Sequence, residues 1–344
     1  MTSDSAAEQY NDLKVRIEAW TAATYGSNFG VADVGSLGGH SGVTIGFDVC
    51  DGPRIVERLV LKVPPAGVAY KNNFDVLRQV PLLQALEAHD IPAPRARWWS
   101  DDESAFGTPY LMMSRLTGCS PPDLFSTAAS EGVEDAITLF DQAVDVLADI
   151  HTIDTSLALA DWDAIREADA EIEHWAKIFS KTQNGQWLEQ GLEMRDLLHR
   201  TKPAAISRGL VHGDYYSNNW VFDRAKLSGA VDWEGASIGP SLIDLGWLYM
   251  MYEPASWGPS RRATMHWQPD PALFVQRYAE RSKLDLTDLD WYRALAAYRL
   301  GSISAYYYEE HRSGRRRNDA WEVFGEAFPF LLGQAKHLLE TLGA

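Results

Sequence analysis

The sequence predicts an α+β chain, with short strands gathered ahead of about Leu116 and helices dominating the remainder. Three observations carry that expectation. Val34–Val49, Arg58–Val63 and Tyr110–Leu116 are β-branched, apolar or alternating runs of strand length. From Ala136 onward apolar residues fall at helical spacing instead, as in Ile137, Phe140, Val144, Leu147 and Ile150. Within that later part, Leu210–Glu234 reads LVHGDYYSNNWVFDRAKLSGAVDWE. Its two short apolar runs, Trp220–Asp223 and Leu227–Asp232, flank a polar break, the pattern of a β-hairpin that would bring Asn219 and Asp232 close together.

Taken in order, about Ser5 to Tyr25 is helical, with Leu13, Ile17 and Trp20 on one face. Val34–Val49 carries glycines 35, 38, 39, 42 and 46, a strand–turn–strand whose bare backbone could approach a phosphate or equally form a plain hairpin. Arg58–Val63 (RLVLKV) is a strand with Lys62 inside it, either on a solvated face or aimed into a cleft. A helix over about Asn72–His89 comes next, interrupted by Pro81 unless that residue lies in the first turn. Ile91–Pro94 is a turn, and Arg95–Trp99 and Tyr110–Leu116 are strands. Helices are expected over Ala136–His151, Trp162–Phe179 and Trp187–Leu198. The tail from Trp247 is dense in Trp, Tyr and Arg, and its basic run Arg312–Arg317 reads as a solvated loop.

Composition excludes several classes. The 344 residues suffice for one large domain or two lobes, and 46% apolar with 23% charged residues is ordinary for a globular chain. A formal net charge of −17 argues against nucleic acid or an anionic membrane as the main partner. Two cysteines, Cys50 and Cys119, make no disulfide framework and suit a reducing compartment. No signal peptide or span of about twenty apolar residues is visible, so a cytoplasmic location is expected.

The chemistry concentrates in His212-Gly213-Asp214, with Asn219 five positions after the aspartate and Asp232 beyond the hairpin. One carboxylate can orient or deprotonate a hydroxyl while an amide and a second carboxylate hold Mg²⁺ on a nucleoside triphosphate. The Asp-to-Asn spacing equals that of the protein-kinase catalytic loop. The form HGDxxxxN followed by DWE, however, resembles the aminoglycoside phosphotransferase family, small-molecule kinases that share the kinase fold.

That resemblance covers about residues 30–250. It implies a protein-kinase-like two-lobed fold, with an antiparallel-sheet lobe over 1–116 and a mainly helical lobe over 117–344. It implies Asp214 as the catalytic base, Asn219 and Asp232 as Mg²⁺ ligands, and Lys62 with the loop residues Gly39, Ser41 and Gly42 on the phosphates of ATP or GTP. Backbone near Ser114 and Leu116 would take the base, with Met112 or Met113 facing it. Asp244, in Gly239–Gly246, would accept hydrogen bonds from the catalytic-loop backbone, and His151 would pack that loop. In one place the chain departs from the pattern: Gln79 stands where a helix glutamate pairs with the strand lysine, leaving Asp75 or Glu87 as substitutes.

The acceptor implied is a small molecule with a hydroxyl. The spacing of LRQVPLLQALEAHDIPAPRARWW and HGDYYSNNW is similar to the subgroup related to kinase-like domains fused to acyl-CoA dehydrogenases, which suggests a hydroxyacyl compound or an aromatic or aliphatic alcohol. An aminoglycoside would instead want acids facing the cleft, with Glu309-Glu310 and the acids of 285–290 as candidates, and a macrolide an apolar cleft. A catalytically silent nucleotide-binding module, motivated by Gln79, is the remaining alternative.

Overall fold

In the computed structural model the N-terminal helix is α1 (Ser3–Tyr25), and its apolar stripe is buried as the spacing requires, with Leu13, Ile17 and Trp20 packed against a sheet. The structure describes residues 3–37, 43–65, 67, 74–121, 136–265 and 268–343, with side chains from Gln9 onward. The chain divides into two compact units, Met1–Gly118 with Ser228–Gly235, and Cys119–Leu227 with Ala236–Ala344.

The first unit is built on a five-stranded sheet of β1 (Phe29–Ser36), β2 (Val43–Asp51), β3 (Arg54–Val63), β4 (Ala96–Ser100) and β5 (Tyr110–Ser114), in the order β1-β2-β3-β5-β4 and antiparallel throughout. Side chains alternate between faces along each strand. One face supplies Ile45, Phe47, Val49, Leu59, Leu61, Val63, Tyr110 and Met112 to the core under α1. The other carries Lys62, level with Thr44 on β2 and Leu111 on β5. A 3-10 turn, Val76–Arg78, leads into α2 (Gln79–Ala88). The helix expected from about Asn72 thus begins at Gln79 (residues 72–73 lie outside the described residues), and the reason is Pro81. It occupies the third helical position, where an amide hydrogen would have had no partner in the helix.

The second unit contains α3 (Ala136–Ile150), α4 (Thr155–Ala158), α5 (Ala168–Phe179), α6 (Gly185–Arg200), β6 (Arg208–Val211) and β7 (Trp220–Asp223). β7 pairs with β8 (Lys226–Ala230), within which the chain returns to the first unit; this is the hairpin expected from the sequence, ending two residues early. β9 (Ser237–Pro240) then pairs antiparallel with β6, and the chain continues through α7 (Leu242–Tyr252), α8 (Pro259–Arg262), α9 (Pro271–Arg281), α10 (Leu289–Arg312) and α11 (Ala320–Leu342). α5 starts at Ala168 rather than Trp162 because Arg166 donates its N–H to the Ile238 carbonyl (2.7 Å), drawing the preceding backbone toward β9. α7 is buried on almost every side. It lies so near α10 that a Cβ on Gly246 would meet the Tyr292 backbone at 2.6 Å.

Many of the late aromatics prove to be core: Trp247, Tyr252, Trp257, Trp291 and Tyr298 are buried. Tyr306, Tyr307 and Tyr308 are half-exposed, and Trp267 lies outside the described residues. The basic run is an exposed turn between α10 and α11, where Arg312 meets Glu322 (3.1 Å) and Arg315 meets Glu310 (2.6 Å). Among the described residues no helix is long and apolar enough to cross a membrane.

Ile17 is fully buried in the core of the first unit. Ile17→Ala should therefore cost about 2–5 kcal/mol, lowering the urea midpoint of the transition that reports on this unit. A midpoint unchanged from wild type would mean that α1 does not hold the sheet.

Candidate functional site

The HGD segment emerges directly from β6, whose pairing with β9 (Leu210 with Ile238, Val211 with Ser237) fixes its exit. Gly213 sits at φ 85°, a backbone conformation that side chains with a Cβ rarely adopt. The turn is held by Asp244, in the first turn of α7 and wholly buried. Its Oδ2 accepts the His212 N–H at 2.6 Å and its Oδ1 accepts the Gly213 N–H at 2.8 Å. His151, just past α3, brings Nε2 to 3.4 Å from Asp244 Oδ2, while its Nδ1 meets the Tyr278 hydroxyl at 2.6 Å. Burial alone would raise the Asp244 carboxyl, but the His151 hydrogen bond, the fields of His151 and His212 and the His212 N–H outweigh it and hold the group below the usual carboxylate range.

Asp214 is half-buried, and its N–H donates to His212 Nδ1 at 3.2 Å. Asn219 Nδ2 donates both to the Asp214 carbonyl (2.8 Å) and to Asp214 Oδ2 (3.0 Å). Asp214 and Asn219, two of the three residues singled out in the motif, are thus in direct contact. Because the amide nitrogen faces the aspartate, Asn219 keeps its amide oxygen as the group that could ligate a cation. Two tyrosines brace the loop: the Ser217 N–H donates to the Tyr252 hydroxyl (3.2 Å), and the Tyr215 hydroxyl donates to the Ala143 carbonyl (2.7 Å).

The first unit holds the other candidates. Lys62 is buried, which removes the solvated-face reading, and its ammonium pairs with Glu234, a nearly buried carboxylate. Glu234 lies two residues beyond Asp232, in the 3-10 turn Trp233–Gly235. Trp233 donates its ring N–H to the Ala230 carbonyl (2.9 Å), and Ala230 donates its N–H to the Pro92 carbonyl (2.9 Å). Asp232 is exposed and left-handed, at φ 65°, a conformation that aspartate tolerates better than most residues.

The structure corrects several expectations. Neither acid offered in place of the helix glutamate lies at Lys62: Asp75 caps the 3-10 turn through the Leu77 N–H (3.1 Å) and Arg78 N–H (3.3 Å), and Glu87 meets Arg95 at 3.3 Å. The lysine's partner is the glutamate of the DWE motif itself, far along the chain from the helix to which the family pattern points. The N–H of Ser114 donates to the Arg95 carbonyl (2.9 Å) and that of Arg115 to the Arg58 carbonyl (2.9 Å), so neither is open to a nucleotide base. Met112 faces the core under α1, and Met113 shares the face of Lys62. Gly39, Ser41 and Gly42 lie outside the described residues. Of the acids suggested for a cationic acceptor, Asp285 accepts from the Thr287 N–H (3.0 Å) and hydroxyl (2.6 Å), the Asp288 carboxylate meets no partner among the described residues, and the other three are engaged internally. Glu309 accepts from Thr182 Oγ1 and from the N–H groups of Gln183 (2.9 Å) and Asn184 (3.0 Å), Glu310 holds Arg315, and Asp290 holds Arg293 (2.6 Å).

The profile of the phosphotransferase enzyme family (APH) matches residues 49–295. The chain belongs to this family. Among solved structures, a protein described as an aminoglycoside phosphotransferase from Ralstonia eutropha JMP134 superposes with a TM-score of 0.74 at 20% identity, covering 95% of this chain and 98% of its own. A thermostable mutant of aminoglycoside phosphotransferase APH(4)-Ia, solved with AMP-PNP and hygromycin B, gives 0.60 at 15% identity over 94% and 98%. Macrolide 2'-phosphotransferase type I gives 0.57 at 16% over 94% and 96%. The protein is an APH-family phosphotransferase with the kinase-like fold that the family resemblance implied. These matches do not single out the subgroup associated with acyl-CoA dehydrogenases.

Two substitutions probe the carboxylates that anchor this APH-family site. Asp244→Asn places an amide N–H against backbone donors and should destabilise the second unit by about 3–5 kcal/mol. Because the native carboxyl is held low, its contribution is complete above the unfolded value of about 3.9 and lost as pH falls through the native value. Wild type and variant should therefore differ near neutrality and converge in acid; parallel stability–pH curves would contradict this. Glu234→Gln leaves Lys62 buried without a counter-charge and should lower the melting temperature of the first unit, with Glu234→Asp restoring part of the loss.

Proposed function

We propose that this phosphotransferase transfers the γ-phosphoryl group of ATP or GTP to the hydroxyl of a small-molecule acceptor, with Asp214 as the base. The observation that carries this is the contact of Asp214 with Asn219 on a loop anchored by the buried Asp244. A carboxylate so fixed suits the orientation of a hydroxyl and the acceptance of its proton. Lys62 has three donors and gives one to Glu234, so the others remain for phosphate oxygens. Leu116 is the first residue past β5 whose backbone N–H is engaged by no described residue, and it is our candidate for the base. The AMP-PNP held by the APH(4)-Ia structure supports a nucleotide as donor.

Mg²⁺ is the cation we assign to Asn219 and Asp232, each judged by its own chemistry. This cation takes oxygen ligands and is commonly held by one or two side chains together with substrate phosphates. Asn219 has its amide nitrogen tied to Asp214 and an oxygen to offer, and Asp232 presents an exposed carboxylate. Bound there, Mg²⁺ would neutralise charge on the phosphoryl oxygens. Against the silent-module alternative stands the pairing of Lys62 with Glu234, a carboxylate partner in place of the one absent at Gln79. For an aminoglycoside, Glu309, Glu310 and Asp290 are engaged elsewhere, which leaves Asp288 as the acid of that set with a carboxylate to offer.

The experiment is acceptor-dependent ADP release in Mg²⁺, over hydroxyacyl thioesters, aromatic and aliphatic alcohols, aminoglycosides and macrolides. Asp214→Ala should lower turnover about 10²–10⁴-fold without loss of nucleotide binding. Turnover intact in the variant would overturn the assignment of the base.

A further inference from the structure

We propose that the acceptor is an anion, and that the edge of the Arg299 guanidinium on α10 receives its carboxylate or phosphate group. This deepens the phosphoryl-transfer reading and rests on it. Arg299 lies over the Trp247 ring at 4.2 Å and over the Trp175 ring at 4.9 Å. Those indoles account for the face of the guanidinium but satisfy none of its N–H donors. No carboxylate among the described residues lies within ion-pair distance of it, and its Nε is buried without a hydrogen-bond acceptor. The buried ring N–H of Trp247 lacks an acceptor as well. Arg293 Nε is likewise buried without an acceptor, so what sets Arg299 apart is the missing carboxylate on the remainder of its guanidinium edge.

Arg293, earlier on the same helix, shows what a structural arginine looks like here. It lies over the Tyr249 ring at 3.8 Å and also meets Glu253 and Asp290, each at 2.6 Å. Arg299 has the stacking without the carboxylates. The field of Arg299 is also felt at His174, alongside other cations, although the chain carries a net charge of −17. Partial desolvation lowers the His174 imidazole; Glu171 opposes this, and Arg166, Arg299 and Lys177 reinforce it. Glu171, the one acid in that group, is already engaged by the Trp175 ring N–H (2.6 Å) and by Arg166 (3.4 Å). A local excess of cations attracts and orients anions.

The patch stands on the elements that build the catalytic loop. Trp247 lies one turn beyond Asp244 on α7, and Arg166 is hydrogen-bonded to β9, the partner strand of β6. A guanidinium edge binds carboxylate or phosphate through paired, charge-assisted N–H bonds, which discriminates strongly against a neutral group of the same shape.

The test compares acceptors of one skeleton: hydroxyaryl and ω-hydroxyalkyl carboxylates, their methyl esters, the matching neutral diols, and the corresponding monophosphates. Calorimetry on the nucleotide-free protein reads binding, and ADP release reads turnover. The acids or the monophosphates should bind while esters and diols do not, and whichever anion binds identifies the group. Arg299→Gln should weaken that binding about tenfold to a hundredfold, with Arg299→Lys intermediate. Esters binding as well as acids in the wild-type protein would overturn the proposal without reference to any variant, as would failure of every anion to bind or affinity unchanged in Arg299→Gln. Anion binding that depends on Arg299 without ADP release would keep this site and overturn phosphoryl transfer. ADP release indifferent to acid or ester would do the reverse.

Discussion

The buried carboxylate of Asp244 is the point on which the candidate active loop depends. A charge taken out of water is unfavourable by several kcal/mol unless it is paired and hydrogen-bonded. Here two consecutive backbone N–H groups, of His212 and Gly213, converge on its two oxygens, and His151 approaches from the other side. Only an acceptor-only group suits such convergence; an amide would present donors to donors. The consequence runs outward in both directions. Toward α9 it passes through His151 to the Tyr278 hydroxyl, and toward the loop it passes through His212 to the Asp214 N–H and on to Asn219. Helices α3, α7 and α9 are thus tied to one short segment. The position of Asp214 is set by the interior of the second unit rather than by the loop's own preferences.

In the first unit the organising constraint is the alternation of a strand. β3 directs Leu59, Leu61 and Val63 into the core under α1 and Lys62 to the opposite face. The hydrophobic packing that stabilises the sheet is therefore what fixes the lysine's direction, and a one-residue slip would exchange the two. A buried ammonium needs a counter-charge, and Glu234 supplies it. The same short segment carries Asp232 in a left-handed conformation, with Trp233 anchored through its ring N–H and Glu234 anchored through Lys62. Neighbouring anchors of this kind can hold a backbone conformation that the isolated chain would populate little.

Periodicity and local spacing made part of this legible from the residues alone. Leu13, Ile17 and Trp20 announce the buried face of α1, and the polar break announces the β7–β8 hairpin, whereas the contact of Asp214 with Asn219 is seen first in the structure. The illegible part depends on pairing between distant segments. Whether the Ser114 N–H is open is decided by its partner Arg95, and hence by how β4 and β5 meet. The start of α5 is decided by the bond of Arg166 to β9. The lysine's partner escapes for a different reason. The family pattern directs attention to an acid on the helix, whereas the carboxylate actually used stands inside the DWE motif, more than 170 positions from Lys62 in the chain and beside it in space.

The charge of the chain illustrates why a sum says little about a site. A net charge of −17 suggests a surface suited to cationic ligands. Yet three of the acids read for that role serve the fold: Glu309 caps the turn before α6, Glu310 holds Arg315 and Asp290 holds Arg293. An acid already accepting backbone N–H groups or gripping a guanidinium has little left for a ligand. What recognises a small molecule is the group whose hydrogen-bonding capacity the protein leaves unfilled. By that criterion the informative charge in the second unit is a positive one, on Arg299, against the sign of the whole.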